Sequence, residues 1–390
     1  MMRQLSVRSV MEAMLRRGPV SRAELARITQ LSKQTISEVV RALEKSGWIG
    51  VSGQVQGALG RSAVTYELRE DAAVVLGIDL GGTKLHVALA NLAGTVVAEA
   101  VEPTDKRGGV HVIAQIGAMA KRLLKEAGRR GGGLSGAAMG CPGVVDPRTG
   151  AIEIAPNIPG FGEMDVVEAL GRRLGCRALI ENDVNLAAKG EQWQGSCRDV
   201  QTFVLVALGT GIGMGLIADG RLVRGARGAA GEIAYLPLGG DPFDSRLYRH
   251  GTLETAVGSR AILDRYRGHG GTGADDVRGV FERLAAGDKA AEAALEETAR
   301  LLTQALMAVR AIIDPARIVL GGSIGVRPEL IARVRALSEA RLPDKLPIEP
   351  SALGARGTVV GAVATALAQL YEDLFGVAGP AELALPAVPV

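Results

Sequence analysis

Residues 76–94, LGIDLGGTKLHVALANLAG, place a glycine-rich turn between two apolar segments and end in a second tight turn. The apolar segments are rich in residues that favour strands, so the stretch predicts two β-strands paired as a hairpin. Glycines have no Cβ and let main-chain N–H groups approach phosphate oxygens, to which the hydroxyl of Thr83 adds a donor. The stretch is therefore a candidate phosphate-binding hairpin, although one such turn alone fits an ordinary tight hairpin equally well.

A second segment repeats this plan. Residues 202–225, TFVLVALGTGIGMGLIADGRLVRG, have GTGIG in place of DLGGT and ADGR in place of NLAG. Such a duplicated unit predicts an α/β protein with two similar lobes that face each other across a cleft. Neither turn fits an established nucleotide signature, because the first lacks the GK pair of a P-loop and the second is not GxGxxG. Two turns in matching contexts nonetheless favour phosphate binding.

Side chains near these turns fit the same chemistry. Asp79 is placed to hold a hydrated Mg²⁺ that bridges phosphates, and Lys84 supplies positive charge. A third glycine cluster, RIVLGGSIG at 317–325, lies where a predicted strand ends and a helix begins. It either contacts the adenosine of a bound nucleotide or is an ordinary strand-to-helix turn. The predicted nucleotide or phosphate contacts are Asp79, Gly81, Gly82, Thr83, Lys84, Thr210, Gly211, Gly321 and Gly322.

The N-terminal region has a different pattern, which predicts three helices. Apolar residues recur at helical spacing in the first helix, at Leu5, Val7, Val10, Met11, Met14 and Leu15. Ser21 and Glu24 form a capping box for a short second helix. Ser32 can cap a third helix that runs to about Ser46, before Gly47 ends it. This order is typical of a helix-turn-helix, whose last helix presents polar residues to the DNA major groove.

Two strands, GWIGVSG and VTYELRE, follow and are joined by the glycine-rich QVQGALGRSA, which predicts a β-wing. The predicted DNA contacts are Lys33, Gln34, Thr35, Ser37, Arg41 and the wing residue Arg61. Residues 1–70 carry 11 Lys and Arg against 6 Asp and Glu, a balance of +5 in a chain whose total is +3. Because positive charge attracts polyanions, this favours DNA over the alternative, a small helical domain that docks another protein.

Composition bounds the remaining possibilities. A chain of 390 residues with 47% hydrophobic and 22% charged residues fits two or three folded domains. No apolar run reaches the roughly 20 residues that span a bilayer, and the charged N-terminus is unlike a secretory signal, so we expect a cytoplasmic protein without membrane partners. The three cysteines form no CxxC pair, and we expect them to be reduced and buried.

Between the two echoed segments lies ALIENDVNLAAKGE, residues 178–191, in which a predicted strand runs into Asn182 and Asp183 at the start of a helix. A carboxylate at the end of a strand can act as general base for a sugar hydroxyl. Asp and Asn are also preferred helix caps, and this segment by itself favours the cap.

Together these pieces resemble the ROK family (repressors, open reading frames, kinases) over nearly the whole chain. The resemblance rests on motifs in a specific order: GIDLGGTK (77–84), APNIPG (155–160), ENDVN (181–185), GTGIG (209–213), GEIAY (231–235), GTLE (251–254) and IVLGGS (318–323). It implies an N-terminal winged helix-turn-helix followed by an actin-like ATPase (ribonuclease H-like) α/β module of two lobes. The implied domains are 1–70 for the DNA-binding domain, 72–181 with 356–378 for the first lobe, 182–355 for the second lobe, and 379–390 for a tail expected to be mobile.

The resemblance also implies roles for single residues. Asp183 matches the family's catalytic base, which deprotonates a sugar hydroxyl for attack on the γ-phosphate of ATP. Positions that bind the sugar match Asn157, Asn182, Asp183, Glu232, Tyr235 and Glu254. The family commonly has a histidine where Tyr235 stands and a cysteine-rich zinc loop after it, whereas residues 236–254 contain no cysteine. Since structural zinc needs four N or S ligands, we predict no zinc and no structural metal site.

Three functions remain to be weighed. The first is a transcription repressor of carbohydrate metabolism genes that binds operator DNA as a homodimer or dimer of dimers and senses a sugar or sugar phosphate between its lobes. The second is an active hexokinase- or glucokinase-like enzyme with a DNA-binding domain attached, which would need ATP and Mg²⁺. The third, an interaction protein without ligand, leaves the carboxylates and glycine turns without a purpose. The complete DNA-binding module and the Tyr235 replacement favour the repressor.

Overall fold

A computed structural model of the chain describes residues 2–56, 62–129, 133–146, 152–153, 158–341 and 346–377. The helices are α1 (Met2–Arg17), α2 (Arg22–Thr29), α3 (Lys33–Lys45), α4 (Gly109–Glu126), α5 (Val166–Leu174), α6 (Asp183–Trp193), α7 (Thr252–Val257), α8 (Ser259–Gly268), α9 (Val277–Ala285), α10 (Lys289–Ile313), α11 (Gly322–Gly325), α12 (Pro328–Glu339) and α13 (Gly357–Phe375). The strands are β1 (Val20–Ser21), β2 (Ile49–Gln56), β3 (Ser62–Leu68), β4 (Val74–Leu80), β5 (Lys84–Asn91), β6 (Val96–Pro103), β7 (Gly136–Cys141), β8 (Val144–Val145), β9 (Ile152–Glu153), β10 (Ala178–Asn182), β11 (Phe203–Leu208), β12 (Ile212–Ala218), β13 (Arg221–Leu222), β14 (Arg317–Gly321) and β15 (Ile348–Pro350).

The chain forms two compact units. The first is bounded by Met1–Gly143, Thr149–Asp183 and Val359–Val390, and the second by Val144–Arg148 and Val184–Thr358. The first unit contains both the N-terminal helices and the first α/β sheet. The domain boundaries expected near residues 70, 181 and 356 therefore stay predictions.

The N-terminal residues form the predicted winged helix-turn-helix. Ser21 and Glu24 make the capping box of α2, in which the Glu24 N–H donates to Ser21 Oγ (3.3 Å) and the Ser21 N–H to Glu24 Oε2 (3.0 Å). Ser32 caps α3 by accepting from the Thr35 N–H at 3.1 Å. The wing strands β2 and β3 pair antiparallel, and β1 completes a sheet of order β1-β3-β2. The four apolar residues of α3 are buried in this domain, namely Ile36, Val39, Val40 and Leu43.

The first helix differs in part from its predicted pattern. Val10, Met11 and Met14 are buried, but Leu5, expected on the same apolar face, is 56% exposed. Leu5 lines an open cavity of about 520 Å³ between the first turns of α1 and the end of α13, so its side chain stays accessible to solvent.

Each unit contains a five-stranded sheet, and the two sheets have the same strand order. The first sheet is ordered β10-β7-β4-β5-β6 and the second β15-β14-β11-β12-β13. In each sheet, the two strands of the repeated hairpin pair antiparallel. One later strand pairs in parallel with the first hairpin strand, and a second later strand pairs in parallel with that one. The predicted duplication and the predicted α/β fold class are therefore both confirmed.

Helices cover the sheets and complete the cores. In the second unit, α10 buries one face against the sheet, through residues that include Leu295, Leu302 and Leu306. In the first unit, α4 and α5 pack together over the sheet. No helix among the described residues combines the length and apolar character needed to cross a bilayer. The three cysteines form no disulfide; Cys141 and Cys197 are buried and Cys176 is half-buried.

The C-terminal helix α13 lies in close contact with β4 and with the DNA-binding domain. A Cβ placed on Gly77 of β4 would come within 2.6 Å of Val363 Cγ2 and 2.7 Å of the Val359 carbonyl oxygen. At the other end of the helix, Phe375 packs edge-on against Trp48, with ring centroids 5.5 Å apart. The helix thus bridges the first sheet and the winged domain within the first unit.

We expect Gly77→Ala to lower the free energy of unfolding by about 1–3 kcal/mol, because the added methyl group overpacks this contact. The matched control is Gly136→Ala on the neighbouring strand β7, where the nearest atom to an added Cβ is 3.8 Å away. The control should change stability by less than about 1 kcal/mol. Urea unfolding of the full chain measures both, and equal effects would show that the helix does not pack this closely on β4.

Candidate functional site

In the first unit, parallel strands bring the predicted polar residues to one edge of the sheet. Asp79 lies near the end of β4, opposite Gly140 of β7, and Asn182 ends β10 opposite Cys141. Asp183 follows as the first residue of α6. Because neighbouring parallel strands end at the same sheet edge, two carboxylates and an amide gather there.

The two carboxylates influence each other electrostatically. Burial, followed by the charge of Asp183, raises the pKa of Asp79 from 3.8 to about 7, and Lys84 opposes the rise. Burial also raises the pKa of the Cys141 thiol, to which the charges of Asp183 and Glu181 add. The sheet edge therefore disfavours further negative charge and holds Cys141 as a neutral thiol.

Asn182 is held in a fixed orientation. Its side-chain Nδ2 donates to the carbonyl of Gly143 at 3.1 Å, and its main-chain N–H donates to Glu181 Oε1 at 2.9 Å. The helix begins at Asp183, as the sequence predicts for a strand-to-helix junction. The main chain at Asn182 and Asp183 is thus held in place. A fixed main chain is needed both for ligand binding and for the start of a helix.

The first glycine turn is held through its carbonyl groups. Thr104 donates from Oγ1 to the Gly81 carbonyl (2.7 Å) and from its N–H to the Thr83 carbonyl (3.1 Å). The Gly81 N–H donates to the Lys84 carbonyl at 2.9 Å and closes the turn. The residues at its tip, Gly82, Thr83 and Lys84, are exposed. The turn is therefore rigid on its inner side and presents a hydroxyl and an ammonium group on its outer side.

In the second unit, the corresponding turn contacts a predicted sugar-binding residue. The Gly209 N–H donates to the Gly211 carbonyl at 2.9 Å, and Glu254 Oε2 accepts from the Ile212 N–H at 3.1 Å. Any side chain at Gly211 would collide with the Glu254 carboxylate, which explains the glycine there. Glu254 of α7 is thus bound to the GTGIG turn rather than separate from it.

The other predicted sugar residues of this unit lie beside Glu254. Tyr235 ends a short 3-10 turn that follows Glu232, and its hydroxyl donates to the Arg249 carbonyl at 3.5 Å. Gly251 packs against the carbonyl of Ala234, which brings the start of α7 to this turn. His250 Nδ1 lies 3.6 Å from Glu254 Oε1. Tyr235, Glu254 and His250 therefore form one cluster. Glu232 is the residue directly before the 3-10 turn that ends at Tyr235.

The third glycine cluster lies next to the GTGIG turn. Gly321 ends β14 opposite Ala207 of β11. Gly322 follows with φ +77°, and a Cβ there would collide with the carbonyl of Leu208. Only glycine fits this left-handed position. The two predicted phosphate elements of the second unit thus meet at the end of β11.

The predicted DNA-contacting residues share the outer surface of α3. Lys33, Gln34 and Arg41 are exposed, and Thr35 and Ser37 are half-buried. Gln34 Nε2 donates to Glu38 Oε1 at 3.1 Å, one helical turn away. The Thr35 hydroxyl lies 2.8 Å from Ser32 Oγ. Two other predicted residues, Arg61 of the wing and Asn157, lie outside the described residues.

Glu191 is a fully buried carboxylate of α6 that was not predicted from the sequence. It accepts from the Ser196 N–H (2.9 Å), the Ser351 hydroxyl (2.5 Å) and the Leu353 N–H (3.0 Å). A buried charge on several hydrogen bonds fixes the segments that supply them. Its signal in the sequence is a charged residue at a core position of a helix, three residues after the buried Ala188.

The part of the chain that the structure describes contains no group of three or more His, Cys, Asp or Glu side chains arranged to hold a metal ion. The expected lack of zinc stays a prediction.

Comparison with known proteins identifies the family. Residues 75–369 match the model of the ROK family, and residues 6–54 match the model of the MarR family. The chain belongs to the ROK family. Its fold is the predicted one, a helix-turn-helix region followed by a two-sheet, actin-like α/β module.

Three similar proteins illustrate the range of the family. The xylose repressor of Caldicellulosiruptor bescii is 24% identical over 95% of this chain and 97% of its own length. The crystal structure of a ROK hexokinase from Thermus thermophilus is 31% identical, covers 77% of this chain and 99% of that one, and has a TM-score of 0.66. A ROK family transcriptional regulator, titled a homologue of the E. coli MLC protein, is 23% identical over 98% of both chains with a TM-score of 0.75, and it supports the fold.

We expect the raised pKa of Asp79 to make stability depend on pH. A carboxyl group with a pKa near 7 in the folded chain and 3.8 as its ordinary value binds more protons folded than unfolded, so stability falls as pH rises from about 4 to 7. Asp79→Asn removes this dependence. The stability gained by the variant relative to the unchanged chain should grow by about 2–3 kcal/mol between pH 5 and 8.

Urea unfolding at a series of pH values measures the difference, with Asp71→Asn, an exposed site in the same unit, as control. A difference that is constant with pH would contradict the burial and charge environment described for Asp79.

Proposed function

We propose that the chain is a sugar-responsive transcription repressor that binds operator DNA through its winged helix-turn-helix. One observation carries the proposal: the chain joins a complete winged helix-turn-helix to a ROK module, and the xylose repressor of C. bescii aligns with it over nearly the full length of both chains. The hexokinase of T. thermophilus, by contrast, covers 77% of this chain.

The recognition helix has the features that the proposal needs. Its apolar stripe is buried in the domain, and its polar N-terminal residues Lys33 and Gln34 are exposed, as is Arg41 further along. An amide such as Gln34 can bind adenine through two hydrogen bonds, whereas lysine and arginine bind guanine or phosphate. Gln34 must give up its hydrogen bond to Glu38 to do so.

Both groups of polar residues have the chemistry of a sugar site. Asn182 and Asp183 in the first unit, and Glu232, Tyr235 and Glu254 in the second, offer amide, carboxylate and phenol groups that donate to or accept from hydroxyls. Polar sites of this kind reject analogues that lack one hydroxyl, because a buried partner is left unpaired. We assign these residues, with Asn157, to the effector.

A sugar changes DNA affinity only if it binds one state of the protein more tightly than another. The first unit supplies a physical link between the effector residues and the DNA-binding domain. The C-terminal helix packs on β4 two residues before Asp79, whose carboxylate senses the charge of the effector residue Asp183. Phe375 of the same helix contacts Trp48, three residues after the recognition helix ends at Lys45. Because a helix-turn-helix binds paired half-sites, we also propose a homodimer or a dimer of dimers.

We expect the purified chain to shift a DNA fragment from the region upstream of its own gene, and one sugar of a broad panel to alter that shift. Gln34→Ala should weaken specific binding about 5- to 150-fold, the value of one bidentate base contact, and leave sugar binding unchanged. Lys45→Ala, at the far end of α3, is the matched control. Failure of every sugar to alter the shift would count against the sensor, and loss of sugar binding in Gln34→Ala would show that the two sites are not separate.

A second candidate function is an ATP-dependent sugar kinase, favoured by the similarity to the T. thermophilus hexokinase and by the pairing of Asp183 with Asp79. The oxygen donors fit Mg²⁺, since a divalent cation would offset both the burial and the Asp183 charge that raise the pKa of Asp79. ATP with Mg²⁺ would supply the transferable phosphoryl group, and the glycine turns with Lys84 would hold its phosphates. Asp183 would accept the proton of the sugar hydroxyl at its carboxylate.

If the chain is a kinase, sugar-dependent release of ADP should fall by at least about 100-fold in Asp183→Asn, the usual contribution of a general base. The variant retains the size of the side chain, so binding of the sugar should persist. A coupled assay for ADP with the sugar panel measures this. No turnover by the unchanged chain with any sugar removes the kinase and leaves the repressor untouched.

A further inference from the structure

The exposed aromatic side chains of the protein are concentrated in one loop. The chain has 12 Phe, Tyr and Trp residues, all of which the structure describes. Among them, the exposed ones are Tyr235 (46%), Phe243 (83%) and Tyr248 (61%), whereas the other nine are buried or half-buried. Exposure of a large ring forgoes the gain of burying it, so three within 14 residues call for a reason.

The loop holds these rings through its own hydrogen bonds. Tyr248 Oη donates to the Phe243 carbonyl at 3.3 Å, and Asp244 caps the following turn by accepting from the Arg246 N–H at 3.0 Å. The Asp244 carboxylate also pairs with the Arg246 guanidinium at 2.6 Å, which holds the pKa of that carboxyl below its usual range. The rings are therefore presented on an ordered loop whose nearest charges neutralise each other.

The same loop borders the effector residues of the second unit. The Tyr235 hydroxyl donates to the carbonyl of Arg249, the residue after Tyr248. Next in the chain, His250 approaches Glu254 at 3.6 Å. Hydrogen bonds thus join Tyr248 to the main chain at Phe243 and Tyr235 to the main chain at Arg249, which places the loop beside the predicted sugar-binding Tyr235.

We propose that this loop, residues 236–251, is a second sugar subsite and that the effector is a glycoside of at least two rings. One sugar ring forms hydrogen bonds with Glu232 and Glu254, and the C–H face of the next sugar ring stacks on the side chains of Phe243 and Tyr248. The inference rests on the proposed function, since it extends the effector site of that repressor. Aromatic faces suit sugars because they cover the apolar face of the ring while its hydroxyls stay hydrated.

A protein partner fits this surface less well. A specific protein interface buries about 800 Å² on each side, around a core of apolar residues. Among the described residues of the second unit, the large apolar side chains exposed besides these three rings are limited to Ile312. That residue lies on the last turn of α10, in a separate segment. The exposed apolar side chains of this patch are thus limited to the three rings, which is too few for the apolar core of a protein interface.

Calorimetric titration of the full chain tests the proposal with matched pairs: glucose and cellobiose, xylose and xylobiose, and N-acetylglucosamine and chitobiose. We expect the disaccharide of the preferred pair to bind at least about fivefold more tightly than its monosaccharide. Phe243→Ala and Tyr248→Ala should each remove most of this advantage and leave the monosaccharide Kd within about twofold. Tyr248→Phe, which retains the ring, should preserve the advantage, as should the control Ile312→Ala.

The outcomes separate the two proposals. Monosaccharide binding without any disaccharide advantage, or an advantage that survives both alanine variants, overturns the second subsite and leaves the sugar-responsive repressor in place. Absence of binding by every monosaccharide and disaccharide overturns both. If the alanine variants instead lower the sedimentation coefficient and leave sugar binding unchanged, the rings serve contacts between copies of the chain, and the subsite is refuted.

Discussion

The close approach of α13 to β4 is the constraint on which the first unit depends. Gly77 leaves no room for even a methyl group below Val359 and Val363. Two residues further along the strand, and on the same face, stands Asp79. The same helix ends in Tyr371, whose hydroxyl donates to the Leu92 carbonyl at 2.9 Å, and in Phe375 against Trp48. One helix therefore sets the position of a site carboxylate and of the DNA-binding domain, so that a shift of either must be accommodated by the other.

Local signals in the sequence were enough to predict most elements of the fold. Helix caps at Ser21 and Ser32 act over three or four residues, and the structure has both. The echoed hairpins are likewise local, because each is closed by its own glycine turn. The duplication then predicts two equivalent sheets, which share one strand order. These features were predictable because the residues that determine them are neighbours in the chain.

Features that depend on distant segments were not predictable in this way. Leu5 has the spacing of a core residue, but the end of α13 leaves it beside an open cavity. Glu191 gains its partners from Ser351 and Leu353, about 160 residues away. The sequence places Glu254 in a sugar motif but does not show that its carboxylate binds the Ile212 N–H. The exposure of Phe243 likewise depends on the packing of the surrounding loop, which leaves the ring uncovered.

The charges at the site bear on which ligand the module suits. Burial, to which the charge of Asp183 adds, raises the pKa of Asp79 to about 7, and Glu254 accepts a hydrogen bond from the Ile212 N–H beside the GTGIG turn. A phosphate entering either place meets an existing carboxylate, so it needs a cation to offset the repulsion. A neutral sugar brings no charge and can exchange hydroxyl hydrogen bonds with the same carboxylates. A neutral sugar can therefore bind at these carboxylates without a counter-ion, whereas a phosphate needs a cation beside it.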